Sequence, residues 1–202
     1  MQVKPYTASS KKNSTFRIMY RGSDIARYGT PTKTDEWLSY GEWLAAPRNP
    51  DLFNKPRLLF QSIRNPKLKR RLIGTYVDDR SVNNNSITDI INLDSKYSLK
   101  YFLGILNSEL MNWYFSISYN IVNIDPRYLK MVPIQVDRTI HDKIVALVEK
   151  MLALHQQLAA AKTPQDTTLL QRQIDATDRQ IDQLVYQLYS LTDDEIALVE
   201  GA

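Results

Sequence analysis

The stretch RTIHDKIVALVEKMLALHQQLAAAKTPQDTTLLQRQIDATDRQIDQLVYQLYSL, residues 138–191, carries the clearest periodicity in the chain. Ile140, Ile144, Leu147, Met151, Leu154 and Leu158 step alternately by four and three, and after Thr163-Pro164 so do Leu170, Ile174, Thr177, Ile181, Leu184, Leu188 and Leu191. That spacing puts each set on one helical face, and the short break between them predicts an antiparallel hairpin with facing seams. Thr192-Asp193-Asp194-Glu195 is a capping box that opens a further short helix through Ile196 and Val199.

Upstream of the hairpin the composition changes. Residues 1–136 carry a net charge of +9 and residues 137–202 one of −5, which together give the overall +4. All three Trp, all five Phe and ten of the twelve Tyr lie in the first part. The chain therefore divides into a basic, aromatic body over 1–136 and an acidic hairpin with a short last helix over 137–202. Such an asymmetry points the body toward a polyanionic partner.

Within the body, residues 1–14 read as a loop, and Thr15-Phe16-Arg17-Ile18-Met19-Tyr20 alternates like a half-buried strand that stops at Gly22. Residues 28–56, with Pro31, Pro47, Pro50 and Pro56, predict a long irregular connection with a short helix at 34–45. Strand-like runs follow at 57–63, 70–77 and 86–92, separated by loops rich in Asn, Asp and Pro. From Ser95 as an N-cap, Leu99, Phe102, Leu103, Leu106, Leu110 and Trp113 share the face of a helix reaching about 116. The expected class is α+β, a mixed-strand body followed by a long helical hairpin.

Several chemistries are excluded. The chain has no Cys, which removes disulfides, thiol nucleophiles and Cys-bound metals, and two His are too few for a multi-histidine metal site. Its six Gly are too scattered for a nucleotide-binding loop. Asn49-Pro50-Asp51-Leu52-Phe53 resembles the Asn-Pro-Pro-Tyr/Phe motif of amino-methyltransferases but lacks the second Pro and reads as a turn. His141 and His155 read as helix-surface residues, and no catalytic or metal-binding set emerges. With no apolar run long enough to cross a bilayer and no signal core at the start, a cytoplasmic chain without membrane contact is expected.

The strongest chemical signal is residues 55–71, where Lys55, Arg57, Arg64, Lys67, Lys69, Arg70 and Arg71 occur without an acidic residue. A duplex phosphate ridge is the partner such a run suits, with a solvated basic loop as the plain alternative. Arg64, Lys67, Lys69, Arg70 and Arg71, with Lys11 and Lys12 of the opening loop, are the expected phosphate contacts. Tyr76, Arg80, Asn83, Asn84 and Asn85 are the expected base readers, since Arg suits guanine and Asn adenine. For the three Asn the plain alternative is turn formation.

Four stretches together bear a family resemblance: Tyr20-Arg21-Gly22-Ser23-Asp24-Ile25-Ala26-Arg27-Tyr28, Tyr101-Phe102-Leu103-Gly104-Ile105-Leu106-Asn107-Ser108-Glu109-Leu110, Asp125-Pro126-Arg127-Tyr128-Leu129 through Val132-Pro133-Ile134, and Arg179 through Ile196. In this order the chain resembles the TaqI-like C-terminal specificity domain of type IIG restriction–modification enzymes and related N6-adenine DNA methyltransferases. The resemblance implies sequence-specific recognition of double-stranded DNA by a module without catalysis of its own. S-adenosylmethionine would then be bound only by a methyltransferase domain or partner, with or without a nuclease, and the paired helices would set spacing or dock that partner. The family's base-reading residues vary with the target, so none carries over. A structural or protein-interaction module working through its hairpin is the competing expectation.

Overall fold

A computed structural model describes residues 6–32, 35–91 and 96–201. Its elements, in chain order, are β1 (Thr7–Ala8), β2 (Phe16–Tyr20), β3 (Trp37–Ser39), β4 (Arg57–Gln61), β5 (Gly74–Val77), β6 (Val82–Asn83), β7 (Ile87–Ile90), α1 (Leu99–Asn107), α2 (Glu109–Ser118), α3 (Pro126–Leu129), α4 (Arg138–Ala160), α5 (Pro164–Leu188) and α6 (Asp193–Glu200). The fold is α+β: two small sheets precede an antiparallel pair of long helices.

One sheet has the order β1-β3-β2-β6 and the other β5-β4-β7. β4 pairs antiparallel with both its neighbours and is buried on both faces, as its unbroken apolar run implies. Leu58 and Phe60 face the helices, while Leu59 packs with Tyr20, Ile25, Val77 and Ile87 on the other side. The helix expected at 34–45 does not form. Trp37–Ser39 is instead a strand laid between β1 and β2, because an open strand edge outweighs weak local helix propensity. The first residue of that span, Thr34, lies outside the described residues. Asn49-Pro50 begins a short 3-10 turn whose Phe53 is buried, and β6, missed in the sequence, pairs parallel with β2.

The helix expected from Ser95 is two helices. Ser95 lies outside the described residues, and Ser98 is the observed N-cap. Ser108 ends α1 and caps α2, its hydroxyl donating to the Ile105 carbonyl and accepting from the Met111 amide. The break lets Asn107 turn inward. Its carboxamide accepts from the Gly74 amide at 3.0 Å and donates to the Gly74 carbonyl at 2.9 Å, so that a side chain completes the edge of β5. Asn112 does the same for the Leu72 amide at 2.7 Å and returns a bond to the Ser108 carbonyl.

The hairpin does not stand apart from the body. A single apolar core runs from Tyr28, Leu58 and Phe60 through α1 and α2 to Ile144, Met151, Ile181 and Val199. Val148 and Val185 are fully buried, whereas Leu147 and Leu184 are half-exposed along a groove on the outer side of the hairpin. The heptad reading places Leu147 in the seam; α4 in fact turns toward α5 and α1 at once, and the second contact rotates the buried stripe. At that contact Gly104 is required, since a Cβ there would lie 2.6 Å from Ile144 Cγ2 and 3.0 Å from Val148 Cγ2.

An ionic cluster fixes the hairpin's orientation. Arg27 donates to Asp178 with both terminal nitrogens and to the Asn107 carbonyl through Nε and Nη2. Its guanidinium lies over the ring of Tyr28, a fully buried residue held in the left-handed region at φ 57. Beside it, Asp182 accepts from the Glu109 amide at 2.8 Å, and burial, first of all, pushes its carboxyl up to about 6.

Gly104→Leu should therefore lower stability by about 1–3 kcal/mol in urea denaturation, because its neighbours are stiff β-branched side chains. Asn107→Leu should cost about 1–3 kcal/mol for the Gly74 amide it leaves unpaired, the Gly74 carbonyl keeping its bond from the Tyr28 amide. Asp182 holds its proton more tightly folded than unfolded, so its contribution to stability falls as pH rises from about 4 to about 6 and stays low above that. Asp182→Asn, which keeps the acceptor for Glu109, should be more stable than the parent at pH 7 by an amount on the order of 1 kcal/mol, with the gap closing near pH 4.

Candidate nucleic-acid interface

The β4–β5 connection, where the basic run lies, is closed by one of its own cations. Arg64 donates to the Arg70 carbonyl at 3.0 and 2.9 Å and to Gln61 Oε1 at 2.7 Å. Asn65 makes a side-chain turn by accepting from the Lys67 amide at 2.9 Å. Lys67 projects from this turn, exposed and without an ion pair among the described residues.

Its neighbours point elsewhere. Lys69 meets Glu109 at 3.2 Å, and Arg70 meets Glu109 at 3.0 Å and Asp178 at 3.5 Å, both at the base of the hairpin. Arg71, expected on the phosphate face, is fully buried. It donates to the Tyr119 carbonyl at 3.1 Å and to that of Ile121, lies over Phe115, and burial holds its pKa below the usual arginine range. Arg57 is also fully buried, tied to the Asp79 and Ser81 carbonyls and to Asp89. The basic run thus comprises a loop tie at Arg64, a clamp on the hairpin at Lys69 and Arg70, two buried arginines, Arg57 and Arg71, and two exposed lysines, Lys55 and Lys67.

The expected base readers divide in the same way. Tyr76 packs against the helical core beneath Lys100, whose ammonium is 5.2 Å from the ring centroid. Asn83 donates to Asp89 at 2.9 Å, and Asn84 accepts from the Ser86 amide and hydroxyl, the turn role that is the plain alternative. Arg80 and Asn85 are exposed and make no side-chain hydrogen bond or ion pair among the described residues.

What the fold does bring together is a cleft of about 260 Å³ between β2, the opening loop and the β5–β6 turn. Lys11, Arg17 and Arg80 line it, with Ser14, Trp37 and Asp79. Lys12 lies exposed beside Lys11 on the same loop. Asp79 is committed to the protein: its carboxylate accepts from the Ser81 amide and hydroxyl and from the Tyr20 hydroxyl, and stands 3.7 Å from Arg57. Sequence reasoning overlooks Arg17. Between Phe16 and Ile18 of an alternating strand a charged side chain reads as an ordinary outward-facing residue, so the sequence carries no signal for it.

A second cleft, of about 390 Å³, lies over β7 and is lined by Arg48, Phe53, Ser62, Asn85, Asp89 and Asp125 among others. Its central carboxylate, Asp89, is saturated by Arg48, Arg57 and Asn83. No group of three or more metal-ligating side chains exists among the described residues. His141 accepts from the Ser98 amide at 3.1 Å, which makes it a stop for the start of α1. His155, expected on the helix surface, is half-buried beside Tyr28, and burial holds its pKa below the usual imidazole range. Among the described residues no helix is long and apolar enough to cross a membrane.

Gly74 lies under the Phe60 ring and Gly104 under Ile144, so both serve close packing.

Comparison with solved structures finds this fold in the type IIL restriction–modification enzyme MmeI, solved in complex with DNA. The superposition has a TM-score of 0.63 at 14% identity and covers 94% of this chain but 30% of the MmeI chain. No curated protein matches. Residues 17–134, from the strand that carries Arg17 to the Pro-Ile stretch before α4, match the family described as the TaqI-like C-terminal specificity domain. The chain belongs to that family of restriction–modification specificity domains.

Proposed function

We propose that this chain recognises double-stranded DNA as the non-catalytic specificity module of a restriction–modification system. Its partner would be a methyltransferase domain or subunit that binds S-adenosylmethionine, with or without a nuclease. The observation that carries this reading is the match of residues 17–134 to the specificity-domain family. It is supported by Lys11, Lys12, Lys67, Arg17 and Arg80, five cations of the basic body that have no ion pair among the described residues. The MmeI likeness adds the fold of an enzyme solved on DNA, of which this chain spans about a third.

Lys11, Lys12 and Lys67 are flexible ammonium groups that suit phosphate neutralisation, which positions a protein on DNA without informing it of sequence. Arg80 sits on an exposed turn with no protein acceptor among the described residues, and a guanidinium so presented can pair with the guanine edge. Asn85 is the remaining candidate for adenine. The outer groove of the hairpin, with Leu147, Leu184, Ala146 and Ala176, would face the partner domain in this reading.

Duplex binding by the full chain, followed by fluorescence anisotropy across a salt series, tests the proposal. Salt-insensitive binding, or none at low salt, would overturn it. Lys11→Ala/Lys12→Ala/Lys67→Ala should flatten the dependence of log K on log salt by about 0.9 for each phosphate no longer neutralised, with the melting temperature unchanged. Lys69→Ala/Arg70→Ala should show the reverse pattern, with lower stability and little change in slope, because those charges hold Glu109 and Asp178. Arg80→Ala should relax preference at one base pair by about 1–3 kcal/mol in a selection over randomised duplexes.

A further inference from the structure

Three guanidinium groups have a buried nitrogen without a hydrogen-bond partner: Arg17 at Nη1, Arg21 at Nε and Arg71 at Nε. In two of them the charge is answered nearby. Arg21 is paired with Glu36, and Arg71 spends its terminal nitrogens on two carbonyls. Arg17 has no hydrogen bond or ion pair at any side-chain nitrogen among the described residues, and it opens into the cleft that Lys11 and Arg80 also line. The one carboxylate there, Asp79, is held by Ser81 and Tyr20 and faces Arg57.

A buried, unanswered N–H on a permanent cation is costly to keep, and the fold gains nothing from it. The cost is recovered if an acceptor enters from outside. We propose that the Arg17 cleft is a phosphate seat, in which Arg17 and Lys11 take one backbone phosphate of the DNA duplex while Arg80, exposed at the rim, stays free for a base edge. This rests on the reading of the chain as a DNA-binding module and assigns it a specific anchor.

Shape decides between a phosphate and a base. A duplex carries its phosphates on convex outer ridges, whereas base edges lie on the floor of a groove roughly 8.5 Å deep and are reached only by side chains that project. Arg17 is rooted in β2, in register with Leu38 of β3, and lines a recess with its Nη1 buried. A recessed cation can meet only a group that protrudes, and on duplex DNA that group is a phosphate. Fixed in the sheet, the guanidinium can also offer two parallel N–H groups to the phosphate oxygens at little entropic cost.

The test is Arg17→Met in the full chain, compared with the parent on a mixed-sequence duplex pool over a salt series. Met fills the stem's volume and removes the orphaned N–H, so the variant should melt at or above the parent. Binding should weaken about tenfold at fixed low salt, on the scale of a charge-assisted hydrogen bond, and the salt slope should fall by about 0.9. A selection over randomised duplexes should return the parent's base preferences. Parent-like affinity and slope in the variant would overturn the proposal. So would a changed preference at one base pair, which would make Arg17 a base reader, or a large fall in melting temperature, which would make it structural. If the parent itself fails to bind duplex, the DNA reading falls and this inference with it; if the parent binds and Arg17→Met binds equally, only the cleft assignment falls.

Discussion

Asn107 is the residue on which the assembly turns. Its carboxamide pairs with both backbone groups of Gly74, and its carbonyl, freed because Ser108 ends the helix, accepts from Arg27 and Arg70. One residue thereby joins the edge of a sheet, the end of a helix and the cations that hold Asp178 of α5. Asn107 is fully buried, and a buried amide that satisfies all its partners is far more stable than one that satisfies some of them. A continuous helix from 99 to 118 would withdraw the carbonyl into its own ladder and leave Arg27 and Arg70 with only the carboxylates. The interruption at Ser108 is thus what lets the body and hairpin share one core.

This constraint explains why most of the basic run is unavailable to a ligand. Lys69 and Arg70 lie next to the point where α2 begins and α5 passes, and there Glu109 and Asp178 claim them. Arg64 is used to close the loop that delivers them, and Arg71 to hold the turn after α2. Charge density in a linear sequence measures how many cations are close along the chain, whereas affinity for a polyanion depends on how many remain uncompensated on one surface. Arg80 is distant in sequence from Lys11 and Arg17, yet the pairing of β2 with β6 draws their cleft together.

The hairpin, the central strands and the capping box at Thr192 are legible in the sequence, because each depends on local periodicity or on a side chain three residues away. Leu147 is misplaced by that reading because a two-helix seam has one buried stripe, while α4 has two neighbours and buries Val148 instead. Helix is read at Trp37–Ser39 because the strand there exists only through partners from β1 and β2. The break at Ser108 is hidden by an apolar pattern that continues across it. For the site, the unpaired state of a cation is invisible: Glu109 and Asp178 lie far along the chain from Arg70, and nothing near Arg17 signals that no described carboxylate will reach it.

The four family-like stretches acquire a physical meaning from these contacts. Arg27 and Tyr28 of the first build the clamp, Asn107 and Ser108 of the second make the junction, and Asp125 of the third caps α3. The fourth ends on the box that starts α6, whose Val199 is buried against the rest. All of them are spent on holding the frame. The residues proposed for a ligand, Lys11, Lys12, Arg17, Lys67, Arg80 and Asn85, stand on loops or line a recess, and none has a bond through its charged or amide group among the described residues. A scaffold whose recognition elements carry no structural load can change them without unfolding. Arg17 differs from the others in its setting: it is rooted within the sheet, in register with Leu38, and the phosphate contact proposed for it, common to every sequence, would be the kind that need not change.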